Sequence, residues 1–291
     1  MFEESRAEEA SLTDKTTRTR GVKVGNQERS QQTPGIAPEG FDLQFRAQTQ
    51  SALLNELWAE AWGEEYPAEV APFSSCSWSV LGEMISALKL RPGQRLVDLG
   101  CGTGGAGLWL ARAFDANLVG VDFSEAAIEL ATARANHWLP ADRAEFRVGS
   151  FESTGLPDGC ADAAVSLDAL PLSRDLDAAL AELRRLLSPE GTAAFTVSEP
   201  TSTSPEEHEV ASWGTRLRQA GLEVERRLEH PETAEYWRRL YELAETNRAE
   251  LRREMGDQPT ENLLYEARTL GPSLDHLRWL LLVVSRPSTN G

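Results

Sequence analysis

The chain has 291 residues, enough for one large domain or two small ones, and at 41% hydrophobic it can bury a sizeable core. Its 29 basic side chains face 46 acidic ones, a formal charge of −17, and only three lysines occur (Lys15, Lys23 and Lys89), which argues against a nucleic-acid partner. The three cysteines, Cys76, Cys101 and Cys160, form no C-x-x-C pair, so neither a disulfide framework nor a metal site is expected, and the usage suits a reducing cytoplasm.

Residues 1–40 are rich in Glu, Ser, Thr, Gln, Arg and Gly and bury too little to fold, so a disordered tail is predicted there. The start, "MFEESRAEEA", lacks the apolar run of a signal peptide. Order is predicted from near Phe41. "FRAQTQSALLNELWAEAW" carries apolar residues at helical spacing and ends at Gly63, and a further helix is predicted from near Ser77. From Arg91 strands and helices alternate. "QRLVDLG" reads as a first strand and "GGAGLWLARAF" as its helix; "NLVGVDFS" is a second strand, with Ser124 capping "EAAIELATARANHWL". "AEFRVGSF", "CADAAVSLDAL" and "TAAFTVSEP" read as strands three to five, the last following the helix "LDAALAELRRLL" and a turn at "SPEG". A capping box, Ser204 and Glu207 with Pro205 between them, opens another helix, and "LEVERRLE" is a sixth strand. An acidic, aromatic helical segment over 231–275 precedes a closing strand, "LRWLLLVVSR", whose apolar run is too short to cross a membrane. This order predicts an α/β fold with a parallel sheet covered by helices on both faces.

The turn "LVDLGCGTGGAG" admits two cofactors. Gly100, Gly102 and Gly105 satisfy the dinucleotide pattern G-x-G-x-x-G, whereas Asp98, Gly100, Gly102 and Gly104 satisfy D-x-G-x-G-x-G. Both readings use glycines for close backbone approach, a helix N-terminus, and an acid closing the second strand, Asp122, for ribose hydroxyls. Four details favour S-adenosylmethionine over a nicotinamide. Asp98 would repel a pyrophosphate but suits an ammonium and a sulfonium. The turn comes late in the chain. The third strand ends in a loop, "GSFESTGLPDG", that could cup an adenine. An additional strand follows the sixth.

"LVDLGCGTG", "LVGVDFSEAAIELA", "ESTGLPDGCADAAVSLDAL" and "LRRLLSPEGTAAFTV" together resemble the class I S-adenosylmethionine-dependent methyltransferases across residues 91–200. "WGEEYPAEVAPFSSCSWSVL" is similar to small-molecule methyltransferases of bacterial natural-product pathways. The resemblance implies a Rossmann-like, seven-stranded, mostly parallel sheet with its last strand antiparallel. The units are then the tail (1–40), an N-terminal helical lid (41–90), a cofactor-binding core (91–230), a helical insertion (231–275), and the final strand with its tail (276–291). It further implies that Gly100, Cys101 and Gly102 line the methionine part of the cofactor, that Asp122 holds the ribose, and that Phe123 packs on the adenine. Ser150 and Phe151 would meet the adenine edge, Ser150 standing where the family usually has Asp, and Asp168 would lie near methyl transfer. The His common just after that aspartate is replaced here by "DALPLSRD".

At the carboxyl ends of the strands lie Asp168, Glu199 and His230, and Tyr66 of the lid joins Glu199 and His230 as a catalytic candidate. Trp62, Tyr66, Tyr236, Trp237 and Tyr241 are candidates for a substrate pocket, although helical spacing makes part of that stripe core. The expected activity is direct methyl displacement onto a small acceptor, with an indole-type or phenolic ring favoured by the aromatic lid. The competing readings are a protein of this fold that binds the cofactor without methylating, and a nicotinamide-dependent oxidoreductase. The expected partner is a small molecule, with no nucleic acid or membrane, and a homodimer stays open.

Overall fold

The computed structural model describes residues 38–201 and 212–287. The first helix, α1 (Pro38–Gln50), begins three residues inside the predicted tail, and the rest of that tail lies outside the described residues, as does the capping box at Ser204 to Glu207. The single helix expected over 45–62 is two. Ser51 adopts extended backbone angles and its side chain accepts the Leu54 amide, which ends α1 and starts α2 (Ala52–Trp62). After a loop, Ser77 caps α3 (Trp78–Leu88) in the same way.

The core then alternates as β1 (Arg95–Leu99), α4 (Gly105–Phe114), β2 (Asn117–Asp122), α5 (Glu125–Ala135), β3 (Ala144–Val148), β4 (Ala161–Ser166), α6 (Leu176–Leu186), β5 (Leu187–Pro200), α7 (Trp213–Gln219) and β6 (Glu223–Glu229). The insertion forms three helices, α8 (Thr233–Thr246), α9 (Arg248–Met255) and α10 (Asp257–Leu270), before β7 (Leu277–Ser285). The turn expected at "SPEG" lies inside β5. The register against β4 slips there, from Ala161 opposite Leu187 to Ala163 opposite Thr192, and Glu190 takes a left-handed φ of 67°.

One seven-stranded sheet runs in the order β3-β2-β1-β4-β5-β7-β6. The pairs among β1 to β5 are parallel, and β7 runs antiparallel between β5 and β6. β1 and β4 are buried on both faces, which explains their near-continuous apolar runs. Phe195 and Val197 pack with α6 and α7 on one face, whereas Ala194, Leu281 and Val283 pack with α3 and α4 on the other. A third core joins α2, α8, α9 and α10 into a helical cap.

Candidate active site

The glycine turn is built by strand ends and close approach. Gly100, Gly102 and Gly104 all have positive φ (71°, 51° and 78°), a region L side chains rarely adopt. A Cβ at Gly100 would collide with the Cβ of Ala169, and one at Gly107 would collide with the Asp98 carboxylate. Gly107 therefore lets Asp98 reach the first turn of α4, whose amide it accepts. Burial, together with the neighbouring Asp122, pushes the Asp98 carboxyl up to about 7 against that amide bond. Asp98 thus anchors the turn to α4. Cys101 is a buried filler, its thiol pushed well up by burial.

Asp122 closes β2 with its carboxylate accepting the Gly102 amide at 2.9 Å and the Ser124 amide at 3.0 Å. Burial raises its pKa while these amides oppose the rise. Phe123 beside it is 38% exposed and meets the edge of Phe41 on α1, at 5.0 Å between ring centroids. Asp42 and Phe45, which the sequence reading missed, come from the same helix: Asp42 bonds the Ser124 hydroxyl, and Phe45 faces Gly102. Ser150 and Phe151 lie on the loop after β3, and the Phe151 ring faces Gly100. A turn with left-handed glycines, a helix N-terminus behind it, a carboxylate at the next strand end and two phenylalanines around it fits a nucleoside cofactor with an amino-acid tail.

Asp168 sits just past β4 at a left-handed φ of 53°, held there by Thr196. Its amide donates to the Thr196 hydroxyl at 2.7 Å, and that hydroxyl donates to its carboxylate, also at 2.7 Å. Asp168 also accepts the Ser75 amide, and the Ser75 hydroxyl accepts the Trp237 indole at 2.9 Å. Ser75 thus ties the core, the lid loop and the insertion together. Ser75, Thr196, His230, Thr233 and Trp279 line a small cavity of about 10 Å³. An open groove of about 690 Å³, with Lys89, Arg226 and Arg286 on its walls, lies at the opposite ends of the strands and touches none of these residues.

His230 is buried after β6. Its Nε2 lies 2.8 Å from Glu83 on α3, and its Nδ1 lies 3.3 Å from Glu232. Glu83 had no sequence signal, since it stands 147 residues away on a helix outside the strand ends.

Two expectations are corrected by position. Glu199 does not join Tyr66 and His230. It continues the Phe195 and Val197 side of β5, and strand alternation places it across the sheet from Thr196 and α3. There it pairs with Arg227, through a 3.1 Å bond and a shorter one, and with Arg278 at 3.8 Å. Trp62, Trp237 and Tyr241 are buried in the cap core instead of standing free around a pocket, because α2 and α8 turn their aromatic faces on each other. Ring centroids lie 5.6 Å apart for Trp62 and Trp237 and 5.5 Å for Trp237 and Tyr241, and Tyr236 packs on Trp62 at 5.4 Å. Tyr66 is also buried. Burial, with the Cys76 thiol adding and Arg134 opposing, pushes its phenol up to about 12.

Fold and site define an α/β protein with a left-handed glycine turn and a buried carboxylate, Asp122, gathered at the carboxyl ends of β1 and β2. Residues 97–195 match the family described as "Methyltransferase domain". The chain is 28% identical over 211 residues to 27-O-demethylrifamycin SV methyltransferase of Amycolatopsis mediterranei, covering 66% of this chain and 75% of that protein. It is 30% identical over 154 residues to phosphoethanolamine N-methyltransferase 3 of Arabidopsis thaliana, covering 48% of this chain and 31% of that one. The chain therefore spans about a third of the length of the plant relatives it matches. The structure of the [4+2]-cyclase SpnF shares the fold, with a TM-score of 0.67 at 20% identity, covering 91% of this chain and 97% of that one. A Haemonchus contortus phosphoethanolamine N-methyltransferase 2 solved with S-adenosylhomocysteine shares it with a TM-score of 0.61 at 19% identity, covering 84% and 59%.

Proposed function

We propose that this protein transfers a methyl group from S-adenosylmethionine to a small natural-product-type acceptor, working in a reducing cytoplasm. The observation that carries the reading is the Asp122 carboxylate holding the glycine turn by the Gly102 amide, within a matched methyltransferase domain. When bound, the cofactor supplies a methyl on a sulfonium, an electrophile whose leaving group is neutral. Asp122 would hold its ribose, Phe123, Ser150 and Phe151 its adenine, and the Gly100–Gly102 turn its amino-acid end. The protein's remaining work is to position the acceptor, to exclude water and to take a proton; alignment alone removes roughly 7–11 kcal/mol of barrier.

His230 is the residue we assign to the proton. Its Nε2 lies 2.8 Å from Glu83 and its Nδ1 3.3 Å from Glu232, so a proton taken by the ring would sit between two carboxylates. An aromatic acceptor, phenolic or indole-type, is supported by the Trp279 ring on the cavity wall and by the rings packed around it. A second reading, a protein of this fold that binds the cofactor without methylating, is supported by the fold it shares with a protein named a cyclase.

Native mass spectrometry of the purified protein, with its small-molecule extract, tests the cofactor assignment. S-adenosylmethionine or S-adenosylhomocysteine is the expected finding, and a nicotinamide nucleotide would overturn it. Release of S-adenosylhomocysteine on addition of an acceptor then separates methyl transfer from the second reading.

A further inference from the structure

Two buried carboxylates flank the glycine turn, and among the described residues no Lys, Arg or His side chain pairs with either. Asp98 and Asp122 are each 4% exposed. Asp98 faces Asp122, and Asp122 faces Asp42 of α1, so each acid is met by a further acid. The thiols of Cys101 in the turn and Cys76 in the lid loop also face Asp98; burial pushes both up, and they stay neutral. Arg134 of α5 reaches the start of α4 at Gly105, but its guanidinium donates to the Glu69 and Val70 carbonyls at 2.7 Å. A buried charge is either paired or given up.

The two acids differ in what holds their charge. Asp122 accepts the amides of Gly102, Ser124 and Phe123, whereas the amide that Asp98 accepts is that of Gly107. Amides favour the ionised form, so Asp122 keeps its charge more readily and the proton of the pair resides on Asp98. Burial and the neighbouring Asp122 raise the Asp98 carboxyl to about 7, so at neutral pH it responds to any change of charge at the turn.

S-adenosylmethionine and S-adenosylhomocysteine share the adenosine and the amino-acid end, and differ by a methyl and the positive charge on sulfur. We propose that Asp98 is a specificity-determining residue that tells cofactor from product by that charge, releasing its proton to solvent when the sulfonium arrives and regaining one when the sulfur becomes neutral. This rests on the methyltransferase reading. In methyl transfer the electron pair of the C–S bond goes to sulfur and the methyl leaves with the acceptor. The site then loses one positive charge while Asp98 is still ionised beside Asp122. A proton from solvent restores Asp98, and the site holds the neutral product less tightly than it held the cation.

The test counts protons. Each ligand is titrated calorimetrically into the full chain at about pH 7, in buffers of different ionisation enthalpy, for the wild type and Asp98→Asn. The ligand's own amino group adds a proton change that both proteins share, so the difference between them reports Asp98. Binding of S-adenosylmethionine should release up to about half a proton from the wild type beyond the Asp98→Asn value, and S-adenosylhomocysteine close to none. By the same linkage, the wild type should prefer S-adenosylmethionine over S-adenosylhomocysteine several-fold more than the variant does. The margin should grow from about pH 6 to about pH 8. Equal proton release by the two ligands, or a margin independent of pH, would overturn the proposal. Should Asp98→Asn not fold, difference infrared spectra of the wild type decide. The carbonyl band of a protonated carboxyl should be lost with S-adenosylmethionine and kept with S-adenosylhomocysteine; a band that responds alike to both overturns the proposal. Failure of both ligands to bind would instead bring down the methyltransferase reading. Binding of both without a proton difference leaves that reading standing and removes only the role of Asp98.

Discussion

The Ser75 hydroxyl accepts the Trp237 indole N–H at 2.9 Å while the Ser75 amide donates to Asp168, so one serine spans the lid loop, the insertion and the end of β4. Both partners of the side-chain bond are buried. Ser75→Ala should leave the Trp237 donor unpaired at a cost of about 1–3 kcal/mol, whereas Trp237→Phe removes the donor itself. The two substitutions should be strongly non-additive. A double-mutant cycle by urea denaturation is expected to give a coupling of roughly 1 kcal/mol or more, and additive effects would show that the bond does not hold the cap to the core.

Asp122→Ala should weaken S-adenosylhomocysteine binding by about tenfold or more, since hydrogen bonds to a charged group are worth about 1.5–3 kcal/mol. The carboxylate also holds the Gly102 and Ser124 amides, so part of the loss will appear as a lower melting temperature. Asp122→Asn keeps one acceptor oxygen and should be milder in both readouts. Unchanged affinity by calorimetry in the alanine variant would remove Asp122 from the cofactor site.

The build of the glycine turn was legible because its constraints are local. Glycines needed at positive φ, a cap serine and an acid at a strand end all fall within one stretch from Asp98 to Ser124. The packing around Asp168 and His230 was not, because its bonds join distant residues. Ser75 meets Asp168 across 93 positions and Glu83 meets His230 across 147. The aromatic stripe shows a second limit. Helical spacing identified one face on the insertion, but periodicity says that a face is buried, not whether protein or ligand buries it. Trp237 proved to face α2, and the Tyr241 hydroxyl donates to Glu266 on α10. Glu199 shows a third. Its place at a strand end was readable, but the side of the sheet it faces follows from which helices cover β5.

The Asp98 carboxyl, raised to about 7, makes stability depend on pH with a definite sign. Between the ordinary aspartate range and about 7 the folded chain keeps a proton that the unfolded chain has released. The contribution of this group to stability therefore declines as pH rises through that window and levels off above it. Asp98→Asn cannot titrate. The unfolding free energy of the wild type, referenced to Asp98→Asn, should fall between about pH 4 and about pH 7. A difference independent of pH would show that Asp98 is ionised throughout.

Glu182 shapes the loop after β3, proposed to meet the adenine, from outside it. One carboxylate oxygen accepts the Thr154 amide at 2.9 Å and the Thr154 hydroxyl at 2.6 Å, and both oxygens take bonds from Arg185. Burial pushes this carboxyl up, but the bonds from Arg185 and Thr154 outweigh it and bring it down to about 2. At the other end of the loop the Gly149 amide donates to the Asp122 carbonyl, so Ser150 and Phe151 are held between two anchors. Glu182→Gln keeps the shape and loses the charge. It should weaken S-adenosylhomocysteine binding several-fold without touching the ligand, and Thr154→Ser, which keeps both bonds, should restore nothing lost because it loses nothing. Adenosine, which carries the base and ribose but no amino-acid end, should show the same fractional loss as S-adenosylhomocysteine in the Glu182→Gln protein. A loss confined to S-adenosylhomocysteine would place the effect at the glycine turn and not at the loop.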